Sequence, residues 1–335
     1  MAAGLPLAVS LGDPAGVGPE IVVKAWEALR DTGPTFFVIG DHDALAAETL
    51  VLERIGSPEA AESVFRRRLP VLDQPLDAPL TRGRPSSTHA GAVIRWIETG
   101  VELAISGRVG GLVTAPIAKA PLYDAGFGFP GHTEFLAELT AQAVYDGPRG
   151  PVMMLAAADL RTVLVTIHLP LAEVPAAVTR ERIIQVGRVT DYALRHDFGV
   201  AAPRLALAGL NPHAGESGAL GREEIDIVAP AAAELRALGI ACSDPRPADT
   251  LFHAEARRTY DAAICLYHDQ ALIPVKSLDF WGGINVTLGL PIVRTSPDHG
   301  VGYDIAGKGL ARADSLTAAI RAAADIAGRR AAFSA

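Results

Sequence analysis

The sequence predicts an α/β protein built around a mostly parallel sheet. Short apolar, strand-like runs alternate along the chain with segments whose apolar residues recur at helical spacing, the pattern of repeated strand-helix-strand units. Three of those runs end at a histidine: VLVTIHLP at His168, LALAGLNPHAGE at His213 and AICLYHDQ at His268. In an open α/β sheet ligands collect at the carboxyl ends of strands, which is where these side chains fall. At 335 residues and 49% hydrophobic, the chain has apolar material for two domains, or for one large sheet divided by a cleft.

Residues 5–11 read as a buried first strand, followed by a glycine turn and a helix that Pro19 can open at its first position, with Ile21, Val22, Ala25 and Leu29 at helical spacing. Residues 36–40 form a second strand, and Asp41 or Asp43 can cap the helix that runs to Leu50. Residues 69–85 are Pro-rich and poorly patterned. Ser87 or Thr88 then begins a long helix with Val93, Ile94, Ile97, Val101, Ala104 and Ile105 on its apolar face. Residues 110–114 are extended, and 114–119 form a loop that enters a helix. A short helix is expected over 133–143, and a strand pair over 152–155 and 162–167. Residues 180–196 are helical, whereas 204–208 and 262–266 are extended. The helical pattern over 223–238 contains Pro230, which should kink or divide it. Short strands at 286–288 and 292–293 precede a last amphipathic helix over 315–327, with Leu316, Ile320, Ala323 and Ile326 in line. There is no internal repeat and no low-complexity linker, so domain limits follow from grouping of elements alone.

Composition excludes several classes of function. A net charge of -8 without a basic cluster argues against a nucleic-acid surface, because backbone phosphates are held mainly by Lys and Arg. The two cysteines, Cys242 and Cys265, belong to no CxxC pair and fit buried thiols in a reducing compartment. The amino terminus has no basic segment and too short an apolar stretch for a signal peptide, and no apolar run is long enough to span a bilayer. A soluble cytoplasmic protein is expected.

Two motifs imitate nucleotide sites. GDPAGVG, residues 12–18, matches the GxxxGxG turn of short-chain dehydrogenases, but none of the six tyrosines has a lysine four residues on, as that family requires. It is not GxGxxG either. GYDIAGKG, residues 302–309, imitates a phosphate-binding loop, yet Gly309 stands where a magnesium-binding Ser or Thr belongs.

Any one of the three strand-end histidines, alone, reads more readily as a core residue or a loop donor. Together, in one context, His168, His213 and His268 read as a metal site, since neutral imidazole is the commonest side-chain metal ligand. GFPGHTEFLAEL places His132 and Thr133 just before a helix, where free backbone N–H groups favour an anion; Thr133 equally reads as an N-cap. Lys276, Asn285 and Arg294 lie in glycine-rich or apolar surroundings, and suit a phosphate or carboxylate with arginine as a bidentate grip.

GDPAGVGPE, TAPIAK, PGHTEFLA, TIHLPL, LNPHAGE, ADTLF, YHDQ and NVTLGLPIVRTSPDHG resemble, in order from Gly12 to Gly300, the motif series of the 4-hydroxythreonine-4-phosphate dehydrogenase family of pyridoxal phosphate biosynthesis. GDPAGVGPE is also similar to the GDGIGPE opening of isocitrate and isopropylmalate dehydrogenases, and DHGVGYDIAGKG to their cofactor loop, with departures at Val301 and Gly302 that leave NAD and NADP both open.

The resemblance implies two α/β domains around a cleft, isocitrate/isopropylmalate dehydrogenase-like, in a homodimer whose active sites draw on both subunits. The grouping assigns residues 1–125 with 293–335 to a cofactor-side domain, and 126–292 to a domain bearing metal, substrate and dimer contacts. The resemblance further implies that His168, His213 and His268 bind one divalent metal, Zn, Co or Mg, and that His132, Thr133, Lys276, Asn285 and Arg294 bind the phosphorylated substrate. Asp298, His299, Gly300 and Asp304 fall on the NAD or NADP loop. The expected reaction oxidises 4-phosphooxy-L-threonine to a 3-oxo acid that loses carbon dioxide. For the base, Lys276 and Asp249 are the candidates, and Asp249 reads as readily as the cap of a short helix at Thr250. The alternatives are a paralogous dehydrogenase of D-threonate or D-erythronate 4-phosphate and, more distantly, a metal-dependent sugar-phosphate hydrolase or aldolase.

Overall fold

The computed structural model describes residues 4–129 and 131–334. In chain order its strands are β1 (Leu7–Ser10), β2 (Phe36–Gly40), β3 (Leu52–Arg54), β4 (Leu69–Asp73), β5 (Leu112–Thr114), β6 (Val152–Ala157), β7 (Leu160–Leu164), β8 (Arg204–Leu207), β9 (Ala241–Cys242), β10 (Ala262–Cys265), β11 (Ile284–Leu288) and β12 (Arg294–Pro297). The chain divides into two compact units. One runs up to Val144 and takes in Pro291–Phe333; the other is Tyr145–Leu290. Residues 126–129, 131–144 and 291–292, which the sequence grouping places with the second domain, lie in the first unit.

In the first unit six strands lie in the order β3-β4-β2-β1-β5-β12, all parallel. Helix Gly18–Leu29 has Pro19 in its first turn, where a missing N–H removes no hydrogen bond, and buries Ile21, Val22, Ala25, Trp26 and Leu29 on one face. Trp26 Nε1 donates to the Phe65 carbonyl at 2.8 Å, so its one polar atom is satisfied inside the core. Asp41 is the N-cap of helix His42–Ala46, accepting from Ala44 N at 2.6 Å. A 3-10 turn capped by Ser86 leads into helix Ala90–Ile105, which buries Val93, Trp96, Ile97 and Val101.

Strands β3 and β4 escape the sequence reading because they are short and β4 contains Pro70. The structure shows why the proline is tolerated. Leu69 N donates to the Val51 carbonyl and Ile55 N to the Val71 carbonyl on one side, while the register with β2 starts only at Val71. The missing N–H of Pro70 therefore breaks no rung. Residues 292–293, expected as a strand, are a buried lead-in; the strand is β12, and Arg294 opens it.

The second unit orders its strands β11-β6-β7-β10-β8-β9. β7, β10, β8 and β9 are mutually parallel, and β6 runs antiparallel to both neighbours. Its core gathers Met153, Leu155, Leu160, Leu164, Cys265, Leu272 and Val275. Helix Arg180–His196 spans the residues expected to be helical and is capped by Thr179, whose hydroxyl accepts from Arg182 N. The helical pattern is divided beside Pro230, as expected: a π-helical turn, Glu224–Val228, precedes helix Ala229–Ala237, and the proline sits in that helix's first turn. Cys242 and Cys265 are free and buried. Among the described residues no helix is long and apolar enough to cross a membrane.

Candidate active site

In the second unit, sheet order explains how the segments carrying three distant histidines reach one edge, where the side chains of His168 and His268 come together. β7, β10 and β8 are adjacent and parallel, with Leu164 opposite Cys265 and Leu207 opposite Ile264, so the segments carrying His168, His268 and His213 leave the same edge side by side. The rings of His168 and His268 lie 5.8 Å apart, centroid to centroid, tilted by 41°. His268 opens helix His268–Leu278, and its Nδ1 meets the Asp269 carboxylate at 2.7 Å, which leaves Nε2 as the ring nitrogen available to a ligand. His213 begins a left-handed turn and is exposed. Among the described residues no group of three or more His, Cys, Asp or Glu side chains is gathered closely enough to hold a metal. The donor chemistry still fits a divalent ion: two facing imidazoles, one ring oriented by a carboxylate.

Asp249 lies in a 3-10 turn, Ala248–Thr250, whose N-cap is Pro247, so it is not the cap of that turn. Its turn packs against the His213 turn. Lys276 sits on the last turn of helix His268–Leu278 with its ammonium 5.5 Å from the Phe280 ring. Asn285 lies on β11, its Oδ1 buried and without a hydrogen bond.

The first unit brings together a separate cluster. Arg294, 3% exposed, opens β12 beside β5 and donates from Nη2 to Thr114 Oγ1 at 2.7 Å. The same nitrogen lies 3.5 Å from Nδ1 of His132, the first residue of helix His132–Leu139. Burial draws the Arg294 guanidinium down to about 10, still charged at neutral pH. Burial first, and then the charges of Arg294 and Lys119, hold the His132 imidazole well below its ordinary range. The ring is therefore neutral; with Nδ1 turned to the guanidinium its proton belongs on Nε2, which is buried and has no hydrogen-bond partner. Lys119 approaches the same helix start, its Nζ 3.6 Å from where a β-carbon on Gly131 would stand. Gly131 is the N-cap, and Thr133 lies buried in the first turn rather than capping it. Two cations, a neutral N–H donor and a helix start thus come together here and suit an anion, with the Glu134 carboxylate also near, its Oε2 3.1 Å from where a β-carbon on Gly131 would stand.

Asp298 N donates to Ser315 Oγ at 3.1 Å, and His299, Gly300 and Asp304 are exposed on the following loop. This loop is tied to the first glycine turn. Val17 N donates to the Val301 carbonyl at 2.8 Å, and Tyr303 Oη to Asp13 Oδ2 at 2.5 Å. Burial and that hydrogen bond push the Tyr303 phenol upward. Gly12, at φ +74°, lets the turn pass Pro116: a β-carbon there would lie 2.5 Å from the Pro116 carbonyl oxygen. Gly300 faces open space, since a β-carbon would meet nothing within 4 Å. An exposed, glycine-bearing segment of this kind fits a dinucleotide's close approach.

Thr114, Lys119, Asp13 and Tyr303 were not assigned roles from sequence, although all four stand inside the motifs GDPAGVGPE, TAPIAK and GYDIAGKG. Motif membership was the signal available.

A family model described as pyridoxal phosphate biosynthetic protein PdxA matches residues 33–323. The chain is 68% identical over 327 residues to 4-hydroxythreonine-4-phosphate dehydrogenase of Caulobacter vibrioides, covering 97% of this chain and 98% of that protein. It is 58% identical to the protein of the same name from Maricaulis maris, covering 97% and 98%. Among solved structures it is similar to 4-hydroxythreonine-4-phosphate dehydrogenase from Klebsiella pneumoniae, with a TM-score of 0.85, 38% identity, and coverage of 97% of this chain and 100% of that chain.

Proposed function

Because the chain belongs to the pyridoxal phosphate biosynthetic protein PdxA family, we propose that it oxidises 4-phosphooxy-L-threonine with NAD or NADP to 2-amino-3-oxo-4-phosphooxybutanoate. That product carries a ketone β to its carboxylate and loses carbon dioxide to give 3-amino-2-oxopropyl phosphate.

The observation that carries the reading is the buried Arg294 guanidinium set against neutral His132 at a helix start. In this reading a phosphate dianion accepts from Arg294, from the His132 Nε2–H and from the first backbone amides of helix His132–Leu139 together. Thr114 Oγ1 accepts from Arg294 Nη2 and so helps to fix the orientation of the guanidinium. Thr133, Lys276 and Asn285 complete the substrate contacts in this reading. The buried Oδ1 of Asn285 is an acceptor suited to the substrate ammonium.

His168, His213 and His268 would hold one divalent ion, Zn, Co or Mg. When bound it supplies Lewis acidity at the reacting hydroxyl. The hydroxyl proton passes to Asp249, whose turn packs on that of His213, with Lys276 contributing positive charge. Asp298, His299, Gly300 and Asp304 contact the nicotinamide cofactor from the first unit. The protein acts in the cytoplasm as a homodimer whose active sites lie at the subunit interface.

The test follows NADH or NADPH formation by absorbance, with metal-loaded protein offered 4-phosphooxy-L-threonine and, separately, D-threonate 4-phosphate. Turnover of the amino acid is expected. Turnover of threonate phosphate alone overturns the substrate assignment, and silence with both overturns the dehydrogenase reading.

A further inference from the structure

The segment following β8 adopts a conformation that its sequence disfavours. Residues 213–217 all have positive φ: 53° at His213, 51° at Ala214, 80° at Gly215, 42° at Glu216 and 57° at Ser217. Left-handed backbone is unfavourable for a non-glycine residue, and four of these five are not glycine. Such a run persists only where the surroundings over-determine it.

The determinant is Glu224, 4% exposed, at the start of the π-helical turn Glu224–Val228. Its Oε1 accepts from the backbone amides of Leu210 and Asn211, both at 2.7 Å, and its Oε2 accepts from Asn211 Nδ2 at 2.9 Å. Glu223 Oε2 takes the same Asn211 amide at 2.7 Å. The carboxylate thus grips the chain two and three residues before His213. It also guards the turn from below, because a β-carbon on Gly215 would lie 2.6 Å from Glu224 Oε2 and 2.9 Å from the Gly221 carbonyl oxygen. The extra residue of the π-helical turn is a local irregularity of the sort found at functional sites.

We propose that Glu224 is the positioning residue for His213: by clamping the amides of residues 210–211 and filling the space under Gly215, it locks the left-handed turn that presents the imidazole. This rests on the reading of His213 as a metal ligand.

The test titrates Co2+ into the metal-stripped full-length protein, read by calorimetry and by the visible ligand-field absorption, with circular dichroism melts alongside. Glu224→Ala is expected to weaken Co2+ binding by about 10- to 100-fold and to alter the absorption band, the range seen when groups supporting a ligand are removed. Glu224→Gln is expected to restore most of the affinity, since its amide oxygen still accepts from both backbone amides. Wild-type affinity and spectrum in folded Glu224→Ala, or a Gln variant as impaired as the Ala variant, overturns the proposal. Should Glu224→Ala fail to fold, Gly215→Ala attacks the same lock from the turn itself; unchanged Co2+ binding there is equally fatal. His213→Ala is the reference. If it binds Co2+ as the wild type does, the metal reading of His213 falls, whatever Glu224 does.

Discussion

Arg294 and His132 illustrate how a side chain's neighbours change its chemistry. A guanidinium on the surface would be a solvated charge; buried against Thr114 and a neutral imidazole, it is a charge held in one orientation, suited to a bidentate grip on a phosphate. Lysine cannot reproduce this, because a single ammonium on a flexible stem cannot hold Thr114 and grip two phosphate oxygens at once. Arg294→Lys is expected to raise KM for the phosphorylated substrate by at least about tenfold, with a smaller change in kcat, as for an interaction made in ground and transition states alike. Steady-state kinetics decide it; an unchanged KM moves the phosphate elsewhere. Sequence reading named both residues, from a helix start and an apolar strand. It did not foresee that they meet each other, because they are 162 residues apart and only the folded first unit makes them neighbours.

Among elements, the ends of β8 and β10 are joined by one buried side chain. Gln270, 7% exposed on helix His268–Leu278, accepts from Leu266 N at 2.7 Å and donates to the Gly209 carbonyl at 2.7 Å. It satisfies two backbone groups where the strands have ended and the ladder no longer does. Gln270→Ala leaves both groups buried without a partner and is expected to cost about 2–3 kcal/mol. Denaturant titration measures this as a lower midpoint at unchanged slope, and a loss under roughly 0.5 kcal/mol, the size of a neutral surface change, refutes the role. The elements themselves were legible to different degrees. Helix Arg180–His196 is long enough for its apolar stripe to stand out. β3 and β4 do not, since a three-residue strand and a proline-bearing one carry too few alternating positions to stand out.

For the whole molecule, burial of a neutral imidazole couples stability to pH. His132 titrates below its ordinary value in the folded chain, while the unfolded chain takes up the proton near pH ~6.5. The unfolded state therefore binds more protons in that window. The contribution is fully present above about pH 6.5 and is lost as pH falls toward the folded-state value. The urea midpoint of the wild type is expected to drop between about pH 7 and pH 5.5, and His132→Asn to flatten that part of the profile. Parallel wild-type and variant profiles would show that the ring is not buried neutral.

The sequence by itself determined the alternation of strands and helices, the placement of three histidines just beyond strand ends, and the motif series that marks the family. These are local properties: a period of two or 3.6 residues, a cap or a glycine turn is written within a few positions. The tertiary structure alone decided which strands lie side by side, that Arg294 is buried against His132, and that residues 213–217 turn left-handed over Glu224. Those outcomes depend on contacts between segments distant in the chain. Packing and the need to satisfy buried polar groups can there override the conformation that a residue prefers alone.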